Sequence, residues 1–171
     1  SPTCVMEYAG ATGWLIGEEH KGMAAMFTMM NNARLAVGMQ GIGIAEGALQ
    51  HAQAYAVERK QGRTPLQGKE DGTGAIVDFA DVRRMLATMK ADTFAARAIA
   101  LACGVALDMA TATGEKSWTA RAAFLTPIAK TFGTETGIAV SELSVQIHGG
   151  MGYIEETGAA QFSRDVRVTA I

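Results

Sequence analysis

The chain has 171 residues, 49% of them apolar, with 17 acidic and 15 basic side chains and a net charge of −2. That is the length of one ordinary domain with ample material for a core, and the near-balanced charge excludes the basic footprint of a nucleic-acid binder. Cys4 and Cys103 stand far apart without metal-ligand spacing, which excludes a zinc site and fits reduced, buried, inert thiols in a cytoplasmic protein.

Along the chain, residues 1–20 alternate short apolar runs with glycine-rich turns. Val5 and Glu7, then Trp14 and Ile16, predict brief strands, the end of a β region. From Lys21 the pattern changes. Met23, Met26, Phe27 and Met30 fall at i, i+3, i+4 and i+7, and the phase continues through Val37, Ile44 and Ala48 to Tyr55. This predicts a helix from about Gly22 to Lys60. Gly38, Gly41, Gly43 and Gly47 interrupt it, each at about 1 kcal/mol of helix propensity relative to Ala. Such density points to close helix–helix packing or to the approach of a ligand.

Residues 61–74 read as a loop. A second helix follows, with Asp78 or Asp81 able to cap it and Val82, Met85, Leu86 and Met89 on its inner face, running to about Thr113. A third spans about Thr119 to Ile147, with Phe124, Ile128 and Phe132 expected to face inward. Pro127 either kinks it or marks its start. A shorter helix is expected at about Thr157–Asp165. The predicted fold class is all-α: an up-and-down four-helix bundle with a short β remnant at the N-terminus. Residues 1–20 are assigned to the end of a β domain and residues 21–171 to the bundle. No secretory signal is visible, and no apolar run is expected to span a bilayer.

The residues that could carry chemistry sit at the ends of these helices. In "QIHGGMGY" (146–153) one glycine suffices to end a helix, yet Gly149, Gly150 and Gly152 crowd together. The cluster reads either as a cap or as bare backbone N–H groups offered to a phosphate. His148 fits a helix-end residue donating to a last-turn carbonyl better than a catalytic base, because no second histidine or thiol lies near it in sequence. Arg59, Lys60 and Arg63 close the first helix, either as favourable charges at its C-terminus or as a guanidinium for phosphate. Arg34 lies on or beside an apolar helix face with Asn31 one turn before it, so its charge must be paired, snorkel, or line a cavity.

Taken in order, "MNNARL", "ERKQGR" and "QIHGGMGY…SRDVRV" resemble the C-terminal part of a flavin-dependent acyl-CoA dehydrogenase, over essentially the whole chain. "SPTCVMEY", "MFTMMNNARL" and "GRTPLQG" resemble a branch that includes enzymes for fatty acyl-CoA and for 3-(methylthio)propanoyl-CoA. The resemblance implies FAD as cofactor and α,β-desaturation of an acyl-CoA. Arg59 then matches the arginine that reaches the FAD pyrophosphate of a neighbouring subunit. Gln146, Gly149 and Gly150 match the segment along the adenosine end of that FAD. Asn31 and Arg34 match positions beside the CoA-thioester pocket. Many members carry an aromatic after the arginine, where this chain has Gln61-Gly62-Arg63, and the loop through Gly74 is longer than in many members. The resemblance also implies an electron-transfer flavoprotein as acceptor and a homodimer or homotetramer built through the bundle, with no metal. It places the catalytic glutamate, in a Tyr-Glu-Gly motif, just beyond Ile171. The chain is thus expected to be an inactive fragment without its own catalytic residue. Two rivals are an acyl-CoA oxidase-like flavoprotein on the same scaffold and a cofactor-free helical interaction module.

Overall fold

Three long helices, α1 (Gly22–Glu58), α2 (Ala80–Thr113) and α3 (Lys116–His148), are followed by a single turn, α4 (Gly150–Tyr153), and by α5 (Ala159–Ala170). The computed structural model describes residues 4–65 and 72–171. Helix α3 packs against both α1 and α2, and α5 lies against α1 and α3. Only Gly114 and Glu115 separate α2 from α3, and Gly114 takes the left-handed conformation, φ 68°, that ends α2. So short a connection makes the two helices antiparallel neighbours.

The core is built from small side chains. Helix α1 buries Gly38, Gly41, Ile42, Ala45, Ala48 and Ala52, continuing to Ala56. Opposite them α3 buries Ala129, Gly133, Gly137 and Val140. Gly38 and Gly41 face Ala129 and Gly133 backbone to backbone: a β-carbon on Gly38 would lie 2.8 Å from the Ala129 carbonyl oxygen. Gly47 instead makes room for the Phe162 ring of α5, and Gly43 faces open space. Close packing therefore accounts for three of the four glycines predicted to interrupt α1.

This packing overturns the expected inner faces of α1 and α3. Phe124 is 69% exposed, and Ile128, Phe132, Met23, Met26 and Phe27 also face outward. The backbones approach too closely for large side chains between them, so the small residues form the seam and the large ones are displaced from it. The predicted α1 phase ran along the seam's edge: Val37, Ile44 and Tyr55 are half-buried and Ala48 is inside. In α2 the expected face holds, with Met85 and Met89 buried and Val82 and Leu86 packed beside them.

Other boundaries move. Neither Asp78 nor Asp81 caps α2. Phe79 occupies that position without a side-chain cap, while Asp78 pairs with Arg83 and Asp81 with Arg84. Pro127 is inside α3, not at its start. No strand forms among the described residues. Val5, Glu7, Trp14 and Ile16 are exposed and outside any regular element, so the β remnant is not seen. A strand needs a partner for its row of N–H and C=O groups, and the described residues supply none there. Cys103 is buried but Cys4 is exposed, against the expectation that both are inside. Helix α2 is long and apolar enough to cross a membrane by length and composition alone. That departs from the expectation of no such run. One side of α2 packs in the bundle, and Phe94, Leu101 and Val105 leave the other side apolar and exposed.

Candidate functional site

The end of α1 is fixed by a short antiparallel pairing that composition did not reveal. The Arg59 N–H donates to the Tyr55 carbonyl at 2.8 Å, and the Ile76 N–H donates to the Arg59 carbonyl at 2.9 Å. Lys60 and Ala75 form an isolated bridge. The Gln61 N–H donates to Gly74 at 2.9 Å and the Gly74 N–H to Gly62 at 3.0 Å. Arg59 thus leaves the helix on a backbone held from both sides.

The end of α3 comes to the same place. Gly149 adopts φ 59°, ψ −138°, breaking the helix before α4 begins. Its N–H donates to the Gln146 carbonyl at 3.1 Å. A β-carbon on Gly149 or Gly150 would meet nothing within 4 Å, whereas one on Gly152 would collide with the Val145 backbone. The three glycines therefore divide their work: Gly149 turns the chain, Gly152 permits close packing, and Gly150 needs neither a positive φ nor the space within its own chain.

Arg59, Gln61, Tyr55, His148, Gly149 and Gly150 line one cavity of about 370 Å³. Two segments far apart in sequence, "ERKQGR" and "QIHGGMGY", so converge on one opening. Gln146 is exposed beside this cavity and is not part of its wall. His148 acts as a helix-end residue: its ring Nδ1 donates to the Ser144 carbonyl at 2.7 Å. Burial pushes the imidazole pKa below its ordinary value, the Ser144 hydrogen bond opposes this, and neighbouring His51 adds to the lowering. The His148 ring stacks on Tyr55 at 4.3 Å. Sequence reasoning passed over Tyr55 and His51, although the spacing His51, Tyr55, Arg59 is that of one helix face.

The other candidate residues stand at the opposite part of α1. Arg34 is half-buried and lines two cavities. One, about 420 Å³, has Asn31, Thr119, Ala123 and Pro127 in its wall. The other, about 540 Å³, includes Met30, Val37, Lys130 and Ile171. The Arg34 Nη1 donates to the Asn31 Oδ1 at 3.4 Å, a long bond that leaves the guanidinium donors able to serve another acceptor. Asn31 and Arg34 are thus together, and both are well separated in sequence and cavity from Arg59 and the glycines.

The bundle thus sets a glycine turn beside the Arg59 segment at one end of α1 and cation-bearing clefts around Arg34 at the other. The family model described as acyl-CoA dehydrogenase, C-terminal domain, matches residues 20–171, and the chain belongs to that family. It is 51% identical over 174 residues to 3-methylmercaptopropionyl-CoA dehydrogenase of Ruegeria pomeroyi, covering 100% of this chain and 29% of that protein. It resembles the structure of butyryl-CoA dehydrogenase from Megasphaera elsdenii with a TM-score of 0.72 and 29% identity, over 91% of this chain and 36% of that one. The corresponding values for an acyl-CoA dehydrogenase complexed with FAD from Bacillus anthracis are 0.74 and 26%, over 90% and 26%. The chain spans less than a third of the length of its Ruegeria relative. These relatives favour neither the oxidase-like reading nor the cofactor-free interaction module.

Proposed function

We propose that the chain is the C-terminal domain of an FAD-dependent acyl-CoA dehydrogenase and contributes one wall to each of two sites. The single observation that carries this reading is the convergence of Arg59, Gly149 and Gly150 on one cavity. The residues fit the phosphate end of FAD. Arg59 offers planar donors suited to a pyrophosphate, and the open space over Gly149 and Gly150 lets a ligand reach their backbone. Gln146, just outside the wall, would bind the adenosine end. FAD, when bound, supplies the hydride acceptor for desaturation. This domain contributes binding and orientation.

Asn31 and Arg34 would hold the thioester end of the substrate beside the clefts they line. The substrate is an acyl-CoA, and 51% identity to the Ruegeria enzyme makes 3-methylmercaptopropionyl-CoA the first to test. The carboxylate that removes the α-proton would act at the cleft that Arg34 and Ile171 share. An electron-transfer flavoprotein is the proposed acceptor. A homodimer or homotetramer formed through the bundle would cover the apolar outer side of α2, and we assign the protein to the cytoplasm.

The test is anaerobic mixing of the full-length, FAD-loaded enzyme with 3-methylmercaptopropionyl-CoA or butyryl-CoA. Bleaching of the oxidised flavin is expected, and Arg34→Ala should weaken it severely. A flavin that no acyl-CoA bleaches would sink the reading. Residues 1–171 alone should be colourless and should not turn over either thioester.

A further inference from the structure

Arg34 of α1 and Lys130 of α3 stand in the wall of one cleft, of about 540 Å³, to which α5 and the residue after it bring Val168, Thr169 and Ile171. Both cations are half-buried, and Lys130 is further inside than its neighbours Thr131 and Phe132. The seam fixes it there. A β-carbon on Gly38, one turn along α1 from Arg34, would lie 3.1 Å from the Lys130 α-carbon. The lysine therefore leaves the backbone where α1 and α3 touch. Neither cation has a carboxylate partner among the described residues, whose ion pairs join Arg83 to Asp78, Arg84 to Asp81, Arg97 to Glu46 and Arg164 to Glu155. Arg34 keeps only its long bond to Asn31. Among the described residues the cleft wall holds no acidic side chain, and Met30, Val37 and Pro127 make much of the rest apolar.

Two positive charges held half-buried in one wall repel each other and lose hydration, so the arrangement suits a cleft that receives an anion. We propose that Lys130 is a positioning residue for the desaturation: with Arg34 it keeps the carboxylate that removes the α-proton ionised and in place. The inference rests on the reading of this cleft as the place where that carboxylate acts. An apolar wall alone would raise the carboxylate pKa, because burial penalises the charged form, and two nearby cations oppose that rise. The base must be an anion to work. It takes the α-proton and becomes the neutral acid, while the β-hydrogen leaves as hydride to the flavin. The wall's ionisable groups are Arg34 from α1 and Lys130 from α3, with none from α5. Glu135 of α3 and Asp165 and Arg167 of α5 are outside it.

The test is the pH dependence of flavin bleaching by saturating 3-methylmercaptopropionyl-CoA in the full-length, FAD-loaded enzyme, without oxygen. In the parent enzyme the rate falls as pH drops through the carboxylate pKa. Lys130→Met keeps the reach of the side chain and removes its charge. It should move that fall up by about one pH unit. The rate on the acid side then drops about tenfold, while the alkaline plateau and the half-saturating thioester concentration stay those of the parent. Lys130→Arg should restore the parent profile. A lysine that only packs would lower the rate alike at every pH, and that result overturns the proposal. So does a raised half-saturating concentration with an unmoved profile, which would mark the cleft as a site for a CoA phosphate. If Lys130→Met fails to hold FAD, Lys130→Gln makes the same comparison. A parent enzyme that no acyl-CoA bleaches removes the functional reading and this inference with it. A bleached parent whose Lys130→Met profile is unmoved removes the inference alone.

Discussion

Gly41 of α1 and Gly133 of α3 meet backbone to backbone: a β-carbon on Gly41 would stand 2.6 Å from the Gly133 carbonyl oxygen. The neighbouring pairs repeat the arrangement, since a β-carbon on Gly133 would lie 2.7 Å from the Gly38 oxygen and one on Gly137 would lie 2.7 Å from the Gly41 oxygen. Neither partner is a side-chain tip that could swing away. The two helices would have to separate.

Gly41→Ala is therefore expected to destabilise the domain by about 1–3 kcal/mol, the usual range for overpacking. Gly43→Ala, facing open space on the same helix, should stabilise it by about 0.5–1 kcal/mol through helix propensity. Urea unfolding of the two variants measures both. A Gly41→Ala domain as stable as the Gly43→Ala domain would show that the seam yields easily.

Gly150→Val separates cofactor contact from fold. The position has room and no positive φ, and valine is no worse a helix former than glycine, so the variant bundle should melt within a few degrees of the parent. In the full-length enzyme it should lose FAD, because the valine would occupy ligand space. Gln146→Ala should give a milder loss. A Gly150→Val enzyme that retains flavin through dialysis would remove Gly150 from the cofactor site.

Arg59→Ala should release FAD from the full-length enzyme more readily than Lys60→Ala does. Arg59 lines the cavity, and Lys60 does not. A charge-assisted hydrogen bond contributes roughly 1.5–3 kcal/mol, against about 0–1 for an exposed charge contact. Equal flavin loss from the two variants would undo the distinction between them.

The bundle and its motifs were legible because they are local. The period of Met85 and Met89 placed α2, and "ERKQGR" and "QIHGGMGY" marked the ends of α1 and α3. Orientation was less legible. Large side chains normally point to a core, so Phe124 and Phe132 drew the inner face of α3 to the wrong side, when the glycine spacing of 133 and 137 already marked the true seam. The pairing of residues 59–62 with 74–76 escaped notice because its bonds are backbone bonds, which composition does not encode. The His51–His148 contact joins α1 to α3 and becomes visible only once the helices are packed.

Stability should depend on pH in two stages. His148 has a folded-state pKa below its ordinary 6.5, so unfolding takes up a proton in the window just beneath that value. Its contribution is complete above pH 6.5 and shrinks as pH falls toward the depressed pKa. Glu46, held low by hydrogen bonds from Gln50 and Arg97, contributes above its ordinary 4.5 and loses that contribution as pH falls through its own lowered value. Melting temperature should therefore fall first below about 6.5, and His148→Gln should flatten that first stage only. A His148→Gln domain with an unchanged slope there would assign the effect elsewhere.

The short pairing around Arg59 has a consequence for how this protein can be altered. Bonds from Ile76 to Arg59 and between Gln61, Gly62 and Gly74 close the loop at its base. Residues 59–62 and 74–76 are thereby tied to one another at the base of the connection. Closing a longer loop is cheap, about 0.6 kcal/mol for each doubling of length. Natural insertions, a purification tag or a fluorescent reporter could be spliced there without moving the arginine. The position is a ready port for engineering, because the bonds that hold the Arg59 backbone lie outside it.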